Sequence, residues 1–203
     1  MAKTDGICPW ALAPPEYRRY HDEEWGVPVV DDVAILEKLC LEGFQSGLSW
    51  LTILRKRDAF RRAFRGFDPD TVAAFGARDV ARLLADASIV RHRGKIEAAV
   101  ANARAVREMH ADGETLAALV WKHEPEAGRT GRPRRAPRTG AELPASTDES
   151  TALSRELRRR GFRFVGPTTA YAAMQSLGLV NDHLAGCPAR ARVDALRAAL
   201  ARP

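Results

Sequence analysis

The sequence has too little of several things to belong to several kinds of protein. It has three cysteines, Cys8, Cys40 and Cys187. That low, odd number argues against a disulfide scaffold and suits a reducing compartment, so a cytoplasmic protein is expected. No apolar run approaches the roughly 18 residues that mark a membrane span. Met1 to Trp10 holds no apolar stretch of the signal-peptide kind. No internal repeat stands out, and no convincing set of alternating strands either. The expectation is an all-α fold of many short helices, with no membrane partner. Acidic residues are in the minority: 32 Lys and Arg stand against 26 Asp and Glu, giving a net charge of +6. The pI near 9.6 favours a polyanionic partner. Arginine and alanine abound throughout, so charge alone does not name nucleic acid.

What is present is helix punctuation. Residues 1–30 are broken by Pro9, Pro14, Pro15 and Pro28 and read as an irregular arm, yet one rich in Trp10, Tyr17, Tyr20, His21 and Trp25. Such an arm is expected to pack on the body. Asp31 or Asp32 caps a helix to about Glu42, and a second runs from about Leu48 to Phe64. Asp68-Pro69-Asp70 opens a short helix to Phe75, Arg78 to Ala87 another, and Lys95 to His110 is strongly helical. Leu116 to Lys122, Glu149 to Arg160 and Arg190 to Leu200 complete the set, with one more helix ending near Gly178. Residues 124–147, with Arg129, Arg132, Arg134, Arg135 and Arg138, read as a basic flexible loop. A phosphate-contacting loop is the minority reading.

Three constellations carry possible chemistry. Glu42 to Trp50 sets a carboxylate, Gly43, Gly47, Phe44 and Trp50 inside an apolar helical pattern. This is either a capped helix corner or a pocket in which Glu42 meets a polar or cationic ligand against aromatic walls. Cys8, His21, His183 and Cys187 would make a tetrahedral zinc set, with His183 and Cys187 on one face of a helical turn. The alternative is a free thiol and a packed histidine. Four protein ligands leave no open position, so such a site would be structural and would staple the chain ends. Finally, Phe164-Val-Gly-Pro-Thr-Thr169, with Arg160 and Arg163 just upstream, is a glycine turn entering a helix. It is either a packing turn or a seat for a phosphate.

Taken together, these blocks strongly resemble the DNA-3-methyladenine glycosylase I family, a divergent branch of the helix-hairpin-helix glycosylases. The matching pieces are Cys8-x-Trp10, Tyr20-His-Asp-x-Glu-Trp-Gly-Val-Pro28, Leu41 to Trp50, Ile89 to Ile96, Arg160 to Thr169, and Gly178-Leu-Val-Asn-Asp-His183 with Cys187. The resemblance implies one glycosylase unit of two helical lobes over residues 1–203, whose terminal segments, 1–30 and 179–203, are joined by one structural zinc on Cys8, His21, His183 and Cys187. It implies a monomer acting on double-stranded DNA containing alkylated purines and hydrolysing the N-glycosidic bond of 3-methyladenine. Glu42 is then the expected catalytic residue. Tyr20 and Trp50, with Trp10, Trp25 and Phe44, would hold the base, and Arg163, Val165, Gly166, Thr168 and Thr169 the DNA backbone. Phe44 stands where the family often has Gln. Asp182 follows the hairpin temptingly, but beside a metal ligand. The glycines at 43 and 47 are expected to leave room for a flipped purine or for DNA. No lysine is expected in the pocket, hence no lyase step. The alternative is a non-catalytic zinc module that recognises alkylated DNA or bases.

Overall fold

The computed structural model describes residues 6–126 and 135–203. Arg129, Arg132 and Arg134 of the basic loop lie outside the described residues. Ten α-helices are described: α1 Pro15–Glu23, α2 Asp32–Gln45, α3 Trp50–Ala63, α4 Pro69–Ala73, α5 Ala77–Ala85, α6 Arg93–Ala111, α7 Leu116–Trp121, α8 Asp148–Arg159, α9 Pro167–Ser176 and α10 Pro188–Ala199. Among the described residues there is no β-strand. No helix of the described residues is long and apolar enough to cross a membrane.

Local chemistry sets the helix starts. Asp31, Asp68, Thr115 and Thr147 each accept a backbone N–H three residues on, at 2.8 to 3.2 Å, so each supplies one partner to a helix end. Asp32 does a different job. Its carboxylate accepts the N–H groups of Leu116 and Ala117 at 2.9 and 2.8 Å, and so anchors α7 on the start of α2. The N-terminal arm departs from expectation, because α1 occupies its middle. Pro14 and Pro15 do not break it; they begin it, since proline's missing N–H and fixed φ suit the first helical turn.

Helix α2 is the hub, touching α3, α6, α7 and α9. Ile35, Leu36, Leu39 and Leu41 are fully buried on it. Cys40 belongs to the same core. The large apolar cluster spans α2 to α9, while a second, small one gathers Cys8, Tyr20, Trp25 and Cys187 with Trp10 and Trp50 at its edge. Trp50 touches both clusters. The chain end is fastened by Glu124, a fully buried carboxylate bonded by Arg197 at 2.9 Å and by Arg202 at 3.0 Å. The segment after Arg134 is not wholly solvated: Pro137 is buried, and its carbonyl accepts the Ala185 N–H at 2.8 Å.

Gly178 shows how closely the arm lies on the body. Its φ is +79°, and a Cβ there would sit 2.6 Å from the Gly26 carbonyl oxygen and 2.7 Å from the Pro28 nitrogen. Both atoms are backbone and cannot swing aside. Gly178→Ala is expected to destabilise the fold by roughly 2 kcal/mol or more; a Tm unchanged within error would contradict that packing.

Candidate active site and metal centre

Helix α2 carries Glu42 into the seam between the two apolar clusters, where it is 7% exposed. Burial pushes its carboxyl up to about 7, and the nearby Lys38 ammonium pulls back only part of that rise. Tyr20, from α1, and Trp50, from the first turn of α3, face the same space with ring centroids 5.4 Å apart. Burial, then the Glu42 charge, keeps Tyr20 a neutral phenol well above its ordinary range. The Trp50 indole N–H is buried with no acceptor among the described residues. Behind them, Trp10 meets Trp25 edge-on at 5.1 Å and Tyr17 at 5.8 Å. Tyr17 also accepts the Leu51 N–H at 3.0 Å, which ties the arm to the start of α3. Glu24, the residue after α1, holds Arg57 of α3 through both guanidinium nitrogens.

The structure overturns the expectation of a pocket without lysine, because Lys38 stands against its two rings. It lies one turn before Glu42 on the same face, half-buried, and its ammonium stands 4.9 Å from the Tyr20 ring centre and 5.5 Å from that of Trp50. It donates to the Tyr20 hydroxyl at 3.4 Å. The i, i+4 spacing from Glu42 was the signal that could have found it. Phe44 is the opposite case. It is 1% exposed and packs on Phe60 and Phe64 in the main core, away from the Tyr20–Trp50 wall. Gly43 leaves space for the hairpin, since a Cβ there would lie 3.2 Å from that of Phe164, and Gly47 turns the chain at φ +79° with nothing within 4 Å.

Cys8, His21, His183 and Cys187 converge in the small cluster, one ligand atom of each within 4.8 Å of all the others. The edges His183 Nδ1 to His21 Nε2, Cys187 Sγ to His21 Nε2, Cys187 Sγ to His183 Nδ1 and Cys8 Sγ to His183 Nδ1 are 3.0, 3.4, 3.6 and 3.9 Å. Tetrahedral Zn–N and Zn–S bonds imply edges of about 3.3–3.8 Å, a range these four distances bracket, so the donor set and its spacing suit such an ion after shifts of a few tenths of an ångström. Each imidazole has its second nitrogen engaged, His21 Nδ1 by Asp22 at 2.7 Å and His183 Nε2 by the Trp25 carbonyl at 3.0 Å, which aims the other nitrogen inward. Burial pushes His183 down to about 4 and Cys8 up to about 11, so both resist charge until a cation offsets it. His183 and Cys187 do not share a helical turn. Residues 183–187 form a bend and turn, and Cys187 is the residue before α10. Asp182 is 2% exposed and accepts from the Tyr171 hydroxyl at 2.6 Å and the Gln175 amide at 2.9 Å, so its carboxylate is engaged by α9.

The hairpin joins α8 to α9. Gly161 and Phe164 take φ of +91° and +55°, Val165 is buried, and Gly166 precedes the helix. Asn102 of α6 clamps the tip by accepting the Arg163 N–H at 2.7 Å and donating to its carbonyl at 3.3 Å. Arg163 and Thr168 are exposed, and the first turn of α9 presents N–H groups without intrahelical partners. The basic turn reaches the same face, with the His92 ring 6.3 Å from Phe164 and Arg91 and Arg93 exposed beside it.

The profile of the methyladenine glycosylase family matches residues 10–191. The chain belongs to that family. It is 48% identical to DNA-3-methyladenine glycosylase 1 of Escherichia coli (strain K12) over 183 residues, 89% of this chain and 94% of that one. It also matches a crystal structure of a 3-methyladenine DNA glycosylase I at 46% identity and TM-score 0.84, covering 90% and 98% of the two chains. A Staphylococcus aureus family member, solved for its recognition of 3-methyladenine, matches at 34% identity and TM-score 0.83, covering 93% and 98%. The all-α fold is thus the family's helix-hairpin-helix type, with the hairpin at Gly161–Thr169.

The raised Glu42 carboxyl has a thermodynamic consequence. Folding takes up a proton between about pH 4.5 and 7, so wild-type stability falls as pH rises through that window. Glu42→Gln removes this dependence. The stability of the variant relative to wild type is expected to grow by up to about 3 kcal/mol between pH 5 and 8. Parallel denaturant melts would refute the burial of an ionised Glu42 if the difference stayed flat.

Proposed function

We propose that this protein is a monofunctional DNA-3-methyladenine glycosylase, which hydrolyses the N-glycosidic bond of 3-methyladenine in alkylated double-stranded DNA, as a cytoplasmic monomer. The observation that carries this reading is a buried carboxylate facing two aromatic rings in a member of the methyladenine glycosylase family. Methylation at N3 makes the purine a cation and a good leaving group, so little acid catalysis is needed. Selection of the lesion is the harder task.

The hairpin N–H groups from Val165 to Thr169, with Arg163, would hold phosphates of the lesion strand. Leu48 is 42% exposed in the loop just before α3 and would fill the stack left by the flipped nucleotide. The base would lie against Trp50 and Tyr20, with Trp10 and Trp25 supporting them, and the unpaired Trp50 N–H would find its acceptor on the purine. Ionised Glu42 accepts a hydrogen bond from the base and opposes the positive charge on purine and sugar. The C1′–N9 bond breaks with its electron pair going to N9. Water then adds to the sugar, and hydrolysis without a lyase step leaves an abasic site. One zinc ion on Cys8, His21, His183 and Cys187 would hold the two ends of the chain together; when bound it supplies structure and no reaction step.

Base release from methylated DNA, with product identification, tests the activity; an intact protein that binds such DNA and frees no 3-methyladenine would sink the reading. Glu42→Gln is expected to lose at least about 100-fold in excision while retaining DNA binding. The wild-type rate should fall on the acid side with a midpoint near pH 7, as Glu42 gains its proton. Metal analysis should find one zinc per chain, and Cys187→Ala should lose it with a marked drop in Tm. Metal-free protein with an unchanged Tm would contradict the structural role.

A further inference from the structure

Lys38 has no part in the chemistry above, yet its ammonium stands where that chemistry needs a different cation. It covers the faces of Tyr20 and Trp50, at 4.9 and 5.5 Å, and donates to the Tyr20 hydroxyl. The charged groups around it divide clearly. On its own helix, Glu37 is held by Arg61 at 2.9 Å. From the end of α1, Glu24 is held by Arg57 of α3. That leaves Glu42, for which Lys38 is the cation that favours ionisation. A cationic purine would seek the same two ring faces and the same carboxylate, and an ammonium standing over both rings leaves no place there for a second cation.

We propose that Lys38 is a displaceable internal cation. It holds the base subsite between turnovers, yields it to the cationic lesion, and retakes it from the neutral product. This rests on the glycosylase reading given above. Entry of the lesion exchanges one cation for another beside Glu42, so the carboxylate is never left bare. When the C1′–N9 bond breaks, the electron pair that passes to N9 cancels the charge on the purine. The positive charge left on the sugar is quenched by water, whose proton goes to solvent. A neutral 3-methyladenine can no longer compensate Glu42, and the Lys38 ammonium can. The four-carbon stem allows the movement. A neutral adenine that enters by mistake meets the same penalty before any bond breaks.

The test is binding of free 3-methyladenine at pH 8, followed by the fluorescence of the pocket tryptophans and by inhibition of base release. A lysine that fills the subsite about nine-tenths of the time weakens a neutral ligand roughly tenfold. Lys38→Met is therefore expected to bind 3-methyladenine about tenfold more tightly than wild type and to be inhibited by it at correspondingly lower concentration. Lys38→Arg keeps the charge and should bind no more tightly than wild type. Lys38→Gln provides a second neutral side chain should the methionine variant fold poorly. The pH profile is a separate readout: loss of the ammonium moves the acid limb of the excision rate to higher pH. Neutral variants that bind product no more tightly, or an arginine variant that tightens binding as much as they do, would overturn the role of Lys38. Wild-type protein that releases no base from methylated DNA would overturn the glycosylase reading instead, so the two failures are separable.

Discussion

The burial of one carboxylate governs the architecture around it. An ionised Glu42 in the seam of two apolar clusters is unfavourable unless a cation accompanies it, and aromatic faces in turn favour that cation. The arrangement of α1, α2 and α3 meets that condition. α2 supplies Glu42 and Lys38 a turn apart, α1 supplies Tyr20, and the start of α3 supplies Trp50. The ties between these helices are themselves polar and directional, with Tyr17 on the Leu51 N–H and Glu24 on Arg57. They fix ring positions that apolar contact alone would leave free to slide.

The metal-ligand quartet acts on the same wall from behind. His21 follows Tyr20 on α1, and His183 reaches the carbonyl of Trp25. Whatever fixes those imidazoles fixes the helix that carries the pocket tyrosine. A short aromatic arm has little core of its own, and the small cluster around it is mostly rings and sulfur. With a metal bound as proposed, side-chain ligands would do for this part of the fold what bulk burial does around α2 and α6.

Much of the fold was legible in the sequence because its boundaries are written in short polar signals. Asp31, Asp68-Pro69, Thr115 and Thr147 all sit at helix starts, and the all-α reading follows from periodicity alone. What escaped was directional. Prolines at 14 and 15 were weighed as breakers, although the first turn of a helix is where proline is favoured. Phe44 was grouped with Glu42 by nearness in sequence, but residues two apart on a helix face opposite ways, and its ring went to Phe60 and Phe64. Lys38, four residues back, faces the same way as Glu42 and was overlooked for the same reason. The ligand quartet was nameable from residue types, but the convergence of four buried groups from two chain ends is a tertiary fact. The second hydrogen bond of each imidazole, to Asp22 and to the Trp25 carbonyl, leaves no sequence signature that distinguishes it from chance.

The missing side chain at Gly43 sets a length. The tip of the hairpin, at Phe164, rests directly on the backbone of α2 one residue beyond Glu42. The stretch proposed to meet a phosphate and the stretch proposed to meet a base are therefore in contact, with no flexible linker between them. The distance from the grip to the pocket is a fixed gauge. A nucleotide swung out of the duplex must span that gauge with its own sugar and phosphate. On the proposed function the protein would thus measure reach as well as charge, and a base still stacked would be too short to arrive.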